Sequence, residues 1–318
     1  MKLLRQKLAV GEAGSGLRLD QALSRMLPEY SRSRIQGWIR DGSVTLNQRK
    51  VKPRDKVFAG DQLELDVPYE VNTVDLPEAV EFELLYEDEH LLVVNKPPGL
   101  VVHPAAGHAS GTLVNGLLNH DAALEQLPRA GIVHRLDKDT SGVMVVARSL
   151  PAHHALVDAL QQRLVKREYV ALARGVITAG RTIDEPIARH PVDRKRMAVR
   201  ASGRQAVTHF TVRQRFRGHS LLDVRLETGR THQIRVHLAH IRHPLVGDPV
   251  YGGRFAVPSG ISAEFETVLR DFRRQALHAR RLSFDHPVSG EALVFEAPEP
   301  ADLRALFAAL NRDNDAAT

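Results

Sequence analysis

The run from Gly131 to Arg148 constrains this chain more than any other stretch. Val143 to Ala147 is a short, β-branched-rich apolar segment that reads as a buried strand, and Ile132-Val133 leads into it. Between the two apolar pieces lies a polar break, His134-Arg-Leu-Asp-Lys-Asp-Thr-Ser141. A core strand interrupted in this way must satisfy its polar groups or use them, because an unpaired buried charge is costly. On the residues alone, Asp137 is either a structural ion-pair member or a reactive carboxylate.

A length of 318 residues exceeds one ordinary domain and suggests two. No run approaches a membrane span, and the opening Met-Lys-Leu-Leu-Arg-Gln-Lys lacks the apolar region of a signal peptide, so a cytoplasmic protein without a membrane partner is expected. The chain has no cysteine, which removes disulfides, thiol nucleophiles and cysteine metal sites. Its net charge of +6 favours a polyanionic partner, and the distribution sharpens this. Residues 1–68 hold 13 basic against 8 acidic residues, residues 69–102 hold 8 acidic against Lys96 alone, and residues 129–256 return to 23 basic against 10 acidic. The pattern is read as two basic units joined by a solvated connector.

In the first unit, Leu17 to Leu27 has helical apolar spacing and ends at Pro28. Ser31 is a natural N-cap for a second helix, Arg32 to Arg40, whose apolar side is Ile35, Trp38 and Ile39. Short strands are expected at Val44–Leu46, Lys50–Val51 and Gln62–Leu65. Arg32, Arg34 and Arg40 leave the apolar side, and Arg49, Lys50 and Lys52 follow, a flank able to hold a phosphate backbone without reading sequence. A plain solvated face explains most such runs.

The second unit opens with a strand, an acidic turn at Glu87 to Glu89 and another strand, broken by Pro97-Pro98-Gly99. A helix start at Gly111 to Leu118, a helix from Ala152 to Leu164 and a strand from Arg167 to Ala173 follow. Paired strands at Gln205–Arg215 and Ser220–Glu227 come next, then a helix at Thr231–Ile241 and final strands at Ala279–Phe284 and Leu293–Glu296. Strands and helices mix without strict alternation, so the fold class is α+β with a largely antiparallel mixed sheet. The boundaries are residues 1–68, an acidic linker at 69–80, a second domain at 81–305 and a C-terminal tail at 306–318, disordered from Asn311 to Thr318.

Carboxylates act as nucleophiles, and glycosyl carbon is a frequent target. Such a group must be ionised, which a neighbouring cation favours. Arg135, Lys138, Arg230 and Arg235 are the candidates. Arg135 shares the face of Asp137 if the segment is extended, and swings toward a ligand if it bends.

Four motifs then occur in one order. His134-Arg-Leu-Asp-x-x-Thr-Ser-Gly142 resembles the active-site motif of the RluA-type pseudouridine synthases. Asn95-Lys-Pro-x-Gly-Leu-Val-Val-His-Pro104, Arg167-x-Tyr169-x-Ala171 and Thr228-Gly-Arg-Thr-His-Gln-Ile-Arg-Val-His237, continuing to Asp248, are similar to the family's others. Arg18 to Leu23, Ser31 to Arg34 and Gly42 to Asn47 resemble an S4 RNA-binding module. The resemblance implies a small S4-like α/β domain followed by a pseudouridine synthase catalytic domain. It implies that Asp137 attacks the target uridine and that the base moves from N1 to C5. It also implies that Tyr169 lines the base pocket, that Arg235 pairs with Asp137, and that Arg135 enters the RNA stack. Arg32, Arg34, Lys50, Arg230 and His103 are the further expected RNA contacts.

The implied substrate is large-subunit ribosomal RNA, free or within an assembling particle, with no obligate protein partner. The target base must be flipped out. No cofactor or metal is expected: the histidines show no strong ligand spacing and the glycines form no phosphate loop. Thr140 and Ser141 are read as loop hydrogen-bonders. The alternatives are the same chemistry on another rRNA or tRNA site, a non-catalytic RNA-binding assembly factor, and a carboxylate-dependent hydrolase.

Overall fold

The computed structural model describes residues 2–27, 30, 32–69, 76–104 and 110–316, with the backbone alone for 2–4, 33, 34, 68 and 69. It divides into two compact units, Met1–Leu76 and Pro77–Thr318. No described helix is long and apolar enough to cross a membrane.

The first unit has β1 (Lys2–Ala9), α1 (Leu19–Met26), α2 (Arg32–Asp41), β2 (Val44–Leu46), β3 (Arg49–Lys50) and β4 (Gln62–Tyr69). Its antiparallel sheet runs β1-β4-β2-β3. Leu19 and Leu23 of α1 and Ile35 and Ile39 of α2 bury against Val44, Leu63 and Leu65, which the apolar spacing of both helices dictates. The expected stop at Pro28 and cap at Ser31 lie outside the described residues. The strand β1 is absent from the sequence reading. It pairs with β4 along its whole length, from Lys2↔Tyr69 to Ala9↔Gln62, so a distant partner defines it.

The second unit contains β5 (Glu83–Glu87), β6 (Leu91–Lys96), α3 (Leu113–His120), β7 (Ser141–Ala147), α4 (Leu150–Gln161), β8 (Lys166–Arg174), β9 (Arg181–Asp184), β10 (Ile187–Arg189) and β11 (Met197–Val199). It continues with β12 (Val207–Arg215), β13 (His219–Leu226), α5 (Gln233–His240), α6 (Ala263–Asp271), β14 (Leu277–Asp285), β15 (Ala292–Glu296) and α7 (Ala301–Asp315). One large sheet runs β5-β6-β7-β14-β8-β13-β12-β9, with β15 beside β14. Its ladders are antiparallel except β7 with β14. This is the α+β, mostly antiparallel arrangement expected from the sequence.

The inner strands are buried on both faces, and β8 shows how they serve two cores. Tyr169, Ala171 and Ala173 face one cluster, with Met144, Leu156 and Ile234. Val170 and Leu172 face another, closed by Phe265 and Leu269 of α6 and by Leu303, Leu306 and Leu310 of α7. The tail expected from residue 306, disordered from Asn311, is instead helical as far as Asp315. The polar end Asn-Arg-Asp-Asn-Asp hides an apolar stripe at helical spacing, and Asp313 Oδ1 accepts from Ser262 N–H at 2.6 Å. The expected linker 69–80 also ends early. Residues 70–75 lie outside the described residues, but Glu78 already belongs to the second unit: its carboxylate accepts from Gly111 N–H at 2.6 Å and its N–H donates to Asn115 O at 3.1 Å.

Candidate active site

The polar break is both satisfied and exposed. Lys96, at the end of β6, is fully buried, and its Nζ donates to the carbonyls of Pro97 at 2.8 Å, Leu100 at 2.9 Å and Lys138 at 2.9 Å. Burial pushes its pKa down to about 7, against the pull of Asp139 and Asp137. Three carbonyls match the three donors of an ammonium, so the geometry selects the charged form. Arg274 grips Asp302 through Nε (2.6 Å) and Nη2 (2.9 Å), and its Nη1 donates to Asp139 O at 3.1 Å. Gly142, the second residue of β7, has φ +119°, and a Cβ there would lie 2.2 Å from Ala279 O; only glycine lets β14 approach so closely. His134 Nε2 accepts from Val145 N–H at 3.1 Å, and burial pushes this histidine down to about 3, so it is a neutral acceptor.

These ties leave the Asp137 carboxylate at the wall of a cleft of about 840 Å³, with its side chain 16% exposed. Its Oδ2 accepts from Arg235 Nη1 at 3.0 Å. Arg235 projects from α5 and is held by a second carboxylate, with Nε to Asp248 Oδ2 at 2.7 Å and Nη2 to Asp248 Oδ1 at 2.9 Å. Asp248 is wholly buried; its Oδ1 also accepts the N–H groups of Val250 and Tyr251, both at 2.9 Å. Burial pushes the Asp248 carboxyl up, but the hydrogen bonds and charge of Arg235 outweigh that and hold it below the usual range. Burial likewise works against the Arg235 cation, and the two carboxylates more than reverse it. Arg235 is thus fixed by Asp248 through Nε and Nη2, which leaves Nη1 to donate to Asp137.

The other oxygen, Oδ1, has His232 Nε2 at 4.0 Å. His232 precedes α5 in left-handed backbone (φ 58°), and its Nδ1 is 2.8 Å from the Tyr251 hydroxyl. That hydroxyl accepts from Met197 N–H at 2.9 Å, which leaves its own proton for His232 and assigns the imidazole proton to Nε2. Burial lowers the His232 pKa, so the ring is neutral at physiological pH. Thr228 and Gln233 shape this loop: Gln233 Oε1 accepts from Thr228 Oγ1 (2.8 Å) and from Arg230 N–H (3.0 Å).

Six of the sequence-selected residues come together. Asp137, Tyr169, Arg235, Arg135, Arg230 and His103 all line this cleft. Tyr169 is buried on β8, and burial raises its pKa, so it is a protonated phenol. Arg135 is exposed at the cleft, and the ion pair to Asp137 is made by Arg235. Arg230 donates from Nε to Gln205 O at 3.0 Å. Burial pushes His103 down to about 4, so it offers a hydrogen bond and no positive charge at neutral pH. In the first unit, Lys50 is exposed on β3, and Arg32 is about half-exposed with its Nη2 on the buried Asp20 at 2.8 Å. The Arg34 side chain lies outside the described residues.

Lys96, Asp248, Tyr251 and Arg274 were given no role from the sequence. For Lys96 a signal existed, a lysine closing the apolar run Leu91-Leu-Val-Val-Asn-Lys. Ser141 and Thr140 are buried hydrogen-bonders, as read from the sequence: Ser141 Oγ lies 2.9 Å from His278 Nδ1, and Thr140 Oγ1 accepts from Gln275 at 3.1 Å. His237 is occupied by Thr208 and by Glu185 O, both at 2.9 Å.

Comparison with known proteins agrees with this geometry. A family model for RNA pseudouridylate synthase matches residues 90–240, and one for the S4 domain matches residues 17–63. The chain is 54% identical over 301 residues to a ribosomal large subunit pseudouridine synthase D from Pseudomonas aeruginosa, covering 95% of this chain and 94% of that protein. It is 52% identical to the protein of the same name from Xanthomonas campestris, covering 98% and 94%. Among solved structures it is similar to human RNA pseudouridylate synthase domain containing 1, with a TM-score of 0.54 and 26% identity over 73% of this chain and 89% of that one.

Proposed function

Because the chain belongs to the RNA pseudouridylate synthase family and carries an S4 domain, we propose that Asp137, Tyr169 and Arg235 are its catalytic residues, working on a uridine drawn out of ribosomal RNA. The chain is an RNA pseudouridine synthase acting on large-subunit ribosomal RNA. The observation that carries the assignment of residues is the carboxylate of Asp137 at the wall of a basic cleft, one oxygen held by Arg235 and the other open to a ligand.

Pseudouridine formation breaks the N1–C1′ bond and makes a C5–C1′ bond. The C5 proton leaves and N1 gains one, so nothing is oxidised and no water is consumed. An ionised carboxylate beside a fixed cation suits the first step, since it can engage the nucleotide while the uracil detaches. Arg235 sets the direction of that carboxylate, and Asp248 keeps Arg235 from following a moving partner. The Tyr169 ring walls the pocket from β8 and holds the freed base close while it presents C5. The cleft falls within the ~300–1,000 Å³ of ordinary ligand sites, enough for one extruded nucleotide. Arg135, exposed at the cleft, is suited to fill the stacking gap that the uridine leaves. Arg32 and Lys50 give the S4 domain a hold on phosphates, and the site of action inferred is the cytoplasm.

The test is a pseudouridine map of ribosomal RNA from cells lacking the gene, complemented with wild type or with Asp137→Asn. Wild type should restore specific pseudouridines and Asp137→Asn none. Restoration by the variant would refute the role of Asp137, and RNA binding by a wild type that restores nothing would favour an assembly factor.

A further inference from the structure

Arg167 is a buried cation whose counter-charge is missing. It lies on β8 two residues before Tyr169, on the same face, and is 7% exposed in the wall of the cleft. Its Nη2 donates to the carbonyl of Glu227 at 3.1 Å, and its Nε is buried with no partner among the described residues. No described carboxylate lies within ion-pair distance of it, although the other deeply buried arginine of the cleft, Arg235, has two. Burial lowers the Arg167 pKa, the direction for a charge taken out of water without compensation. Position 229 is glycine, where a Cβ would lie 2.7 Å from Arg167 Nη1, so a larger residue there would crowd the guanidinium.

Its neighbours add to the excess. Arg230, also in the cleft wall, donates from Nε to a carbonyl, that of Gln205, and the charges of Arg204, Arg163 and Arg167 all bear on it. Of these, Arg163 has a carboxylate, Glu227 Oε2 at 2.5 Å. A fold does not normally retain a desolvated guanidinium facing other cations unless an anion arrives during function.

We propose that Arg167, with Arg230, forms an anion site that takes a phosphate flanking the flipped uridine, and so fixes the sugar of that nucleotide over Asp137. The inference rests on the reading of Asp137 and Tyr169 as the reaction centre. A phosphate fits better than a uracil carbonyl because it brings a full negative charge and two oxygens to a forked donor. Arg167 is on this view a substrate-binding residue, held in position by the strand that also carries Tyr169.

The experiment uses the full chain and a synthetic RNA stem-loop that wild type converts to pseudouridine. Single neutral methylphosphonates replace the phosphate 5′ or 3′ of the target. In wild type, one of the two should cost about 10- to 100-fold in kcat/KM, as for loss of a hydrogen bond to a charged group. In Arg167→Met that same replacement should cost no more than about 2-fold, because the partner is already gone; Arg167→Lys should keep an intermediate penalty. Arg167→Met should also melt at or above the wild-type temperature, since it removes an uncompensated charge and keeps the apolar stem. Equal methylphosphonate penalties in wild type and Arg167→Met, or a lowered melting temperature, would overturn the anion site while leaving Asp137 in place. A wild type that forms no pseudouridine in any RNA would overturn the reaction centre itself.

Discussion

Asp248→Asn is the most informative change outside Asp137 itself. The side chain is 0% exposed, makes two bonds to Arg235 and accepts two backbone N–H groups. Asparagine has nearly the same shape but no charge, so the buried Arg235 is left with Asp137 as its sole counter-ion. Removing one partner from a buried pair costs about 3–5 kcal/mol. For a unit of this size that lowers the melting temperature by roughly 10 °C. Catalysis should fall as well, by about 10- to 100-fold in kcat with a smaller change in KM, since Arg235 loses the anchor that aims Asp137. The pH dependence follows from the lowered pKa of Asp248. A carboxyl held below its unfolded value of 3.8 contributes fully above that pH, and the contribution is lost as pH falls through the folded value. The stability gap between wild type and variant should therefore be constant at neutral pH and begin to narrow only below about pH 4. Melting curves from pH 2 to 8, with single-turnover kinetics at neutral pH, supply the data. A neutral-pH loss below about 1 kcal/mol, or a gap that does not narrow at all below about pH 4, would refute the anchoring argument.

Lys96→Met should destabilise the second unit by about 2–5 kcal/mol, because carbonyls that the ammonium satisfied lose their donor; unchanged hydrogen exchange around residues 137–140 would show that Lys96 does not hold this loop. Gly142→Ala places a Cβ 2.2 Å from Ala279 O and should cost more than about 3 kcal/mol, read as loss of soluble, cooperatively melting protein. A variant that melts like wild type would mean that β7 and β14 can separate freely. Replacing Arg32 and Lys50 together by alanine should lower the slope of log affinity against log salt by about 1–2. An unchanged slope would remove both from the phosphate contacts.

How far the sequence could be read depended on where each partner lay. Helices α1 and α2 and strands β6, β7 and β8 follow from patterns within themselves: apolar spacing for the helices, β-branched runs for the strands. Asp137, Tyr169 and Arg235 were reachable because motif order brings three distant segments to one chemistry. Their supports were not. Asp248 acts through a bond to a side chain on α5, which leaves no local trace; Lys96 closes an apolar run, but its partners are carbonyls of two separate loops that the run does not reveal. β1 is ordered by a far partner, and α7 was misread because its polar ending outweighed the stripe Leu303, Leu306 and Leu310. Asp137 could be given two meanings from the sequence because both are physically reasonable. Geometry adds the difference: its loop carbonyls are tied down while its carboxylate meets the cleft.

That tying has a consequence for how the RNA must behave. Lys96 from β6 and Arg274 from just before β14 both reach this loop and hold its backbone, at Lys138 O and Asp139 O. The ordering of the loop is completed when the chain folds, so binding RNA need not order it again. On the proposed reading of Asp137, the carboxylate stays still and the travel is left to the nucleotide. An RNA in which the target uridine is already loosely stacked should then gain in rate by nearly the whole free energy of its unstacking, whereas a mobile loop would give part of that gain back.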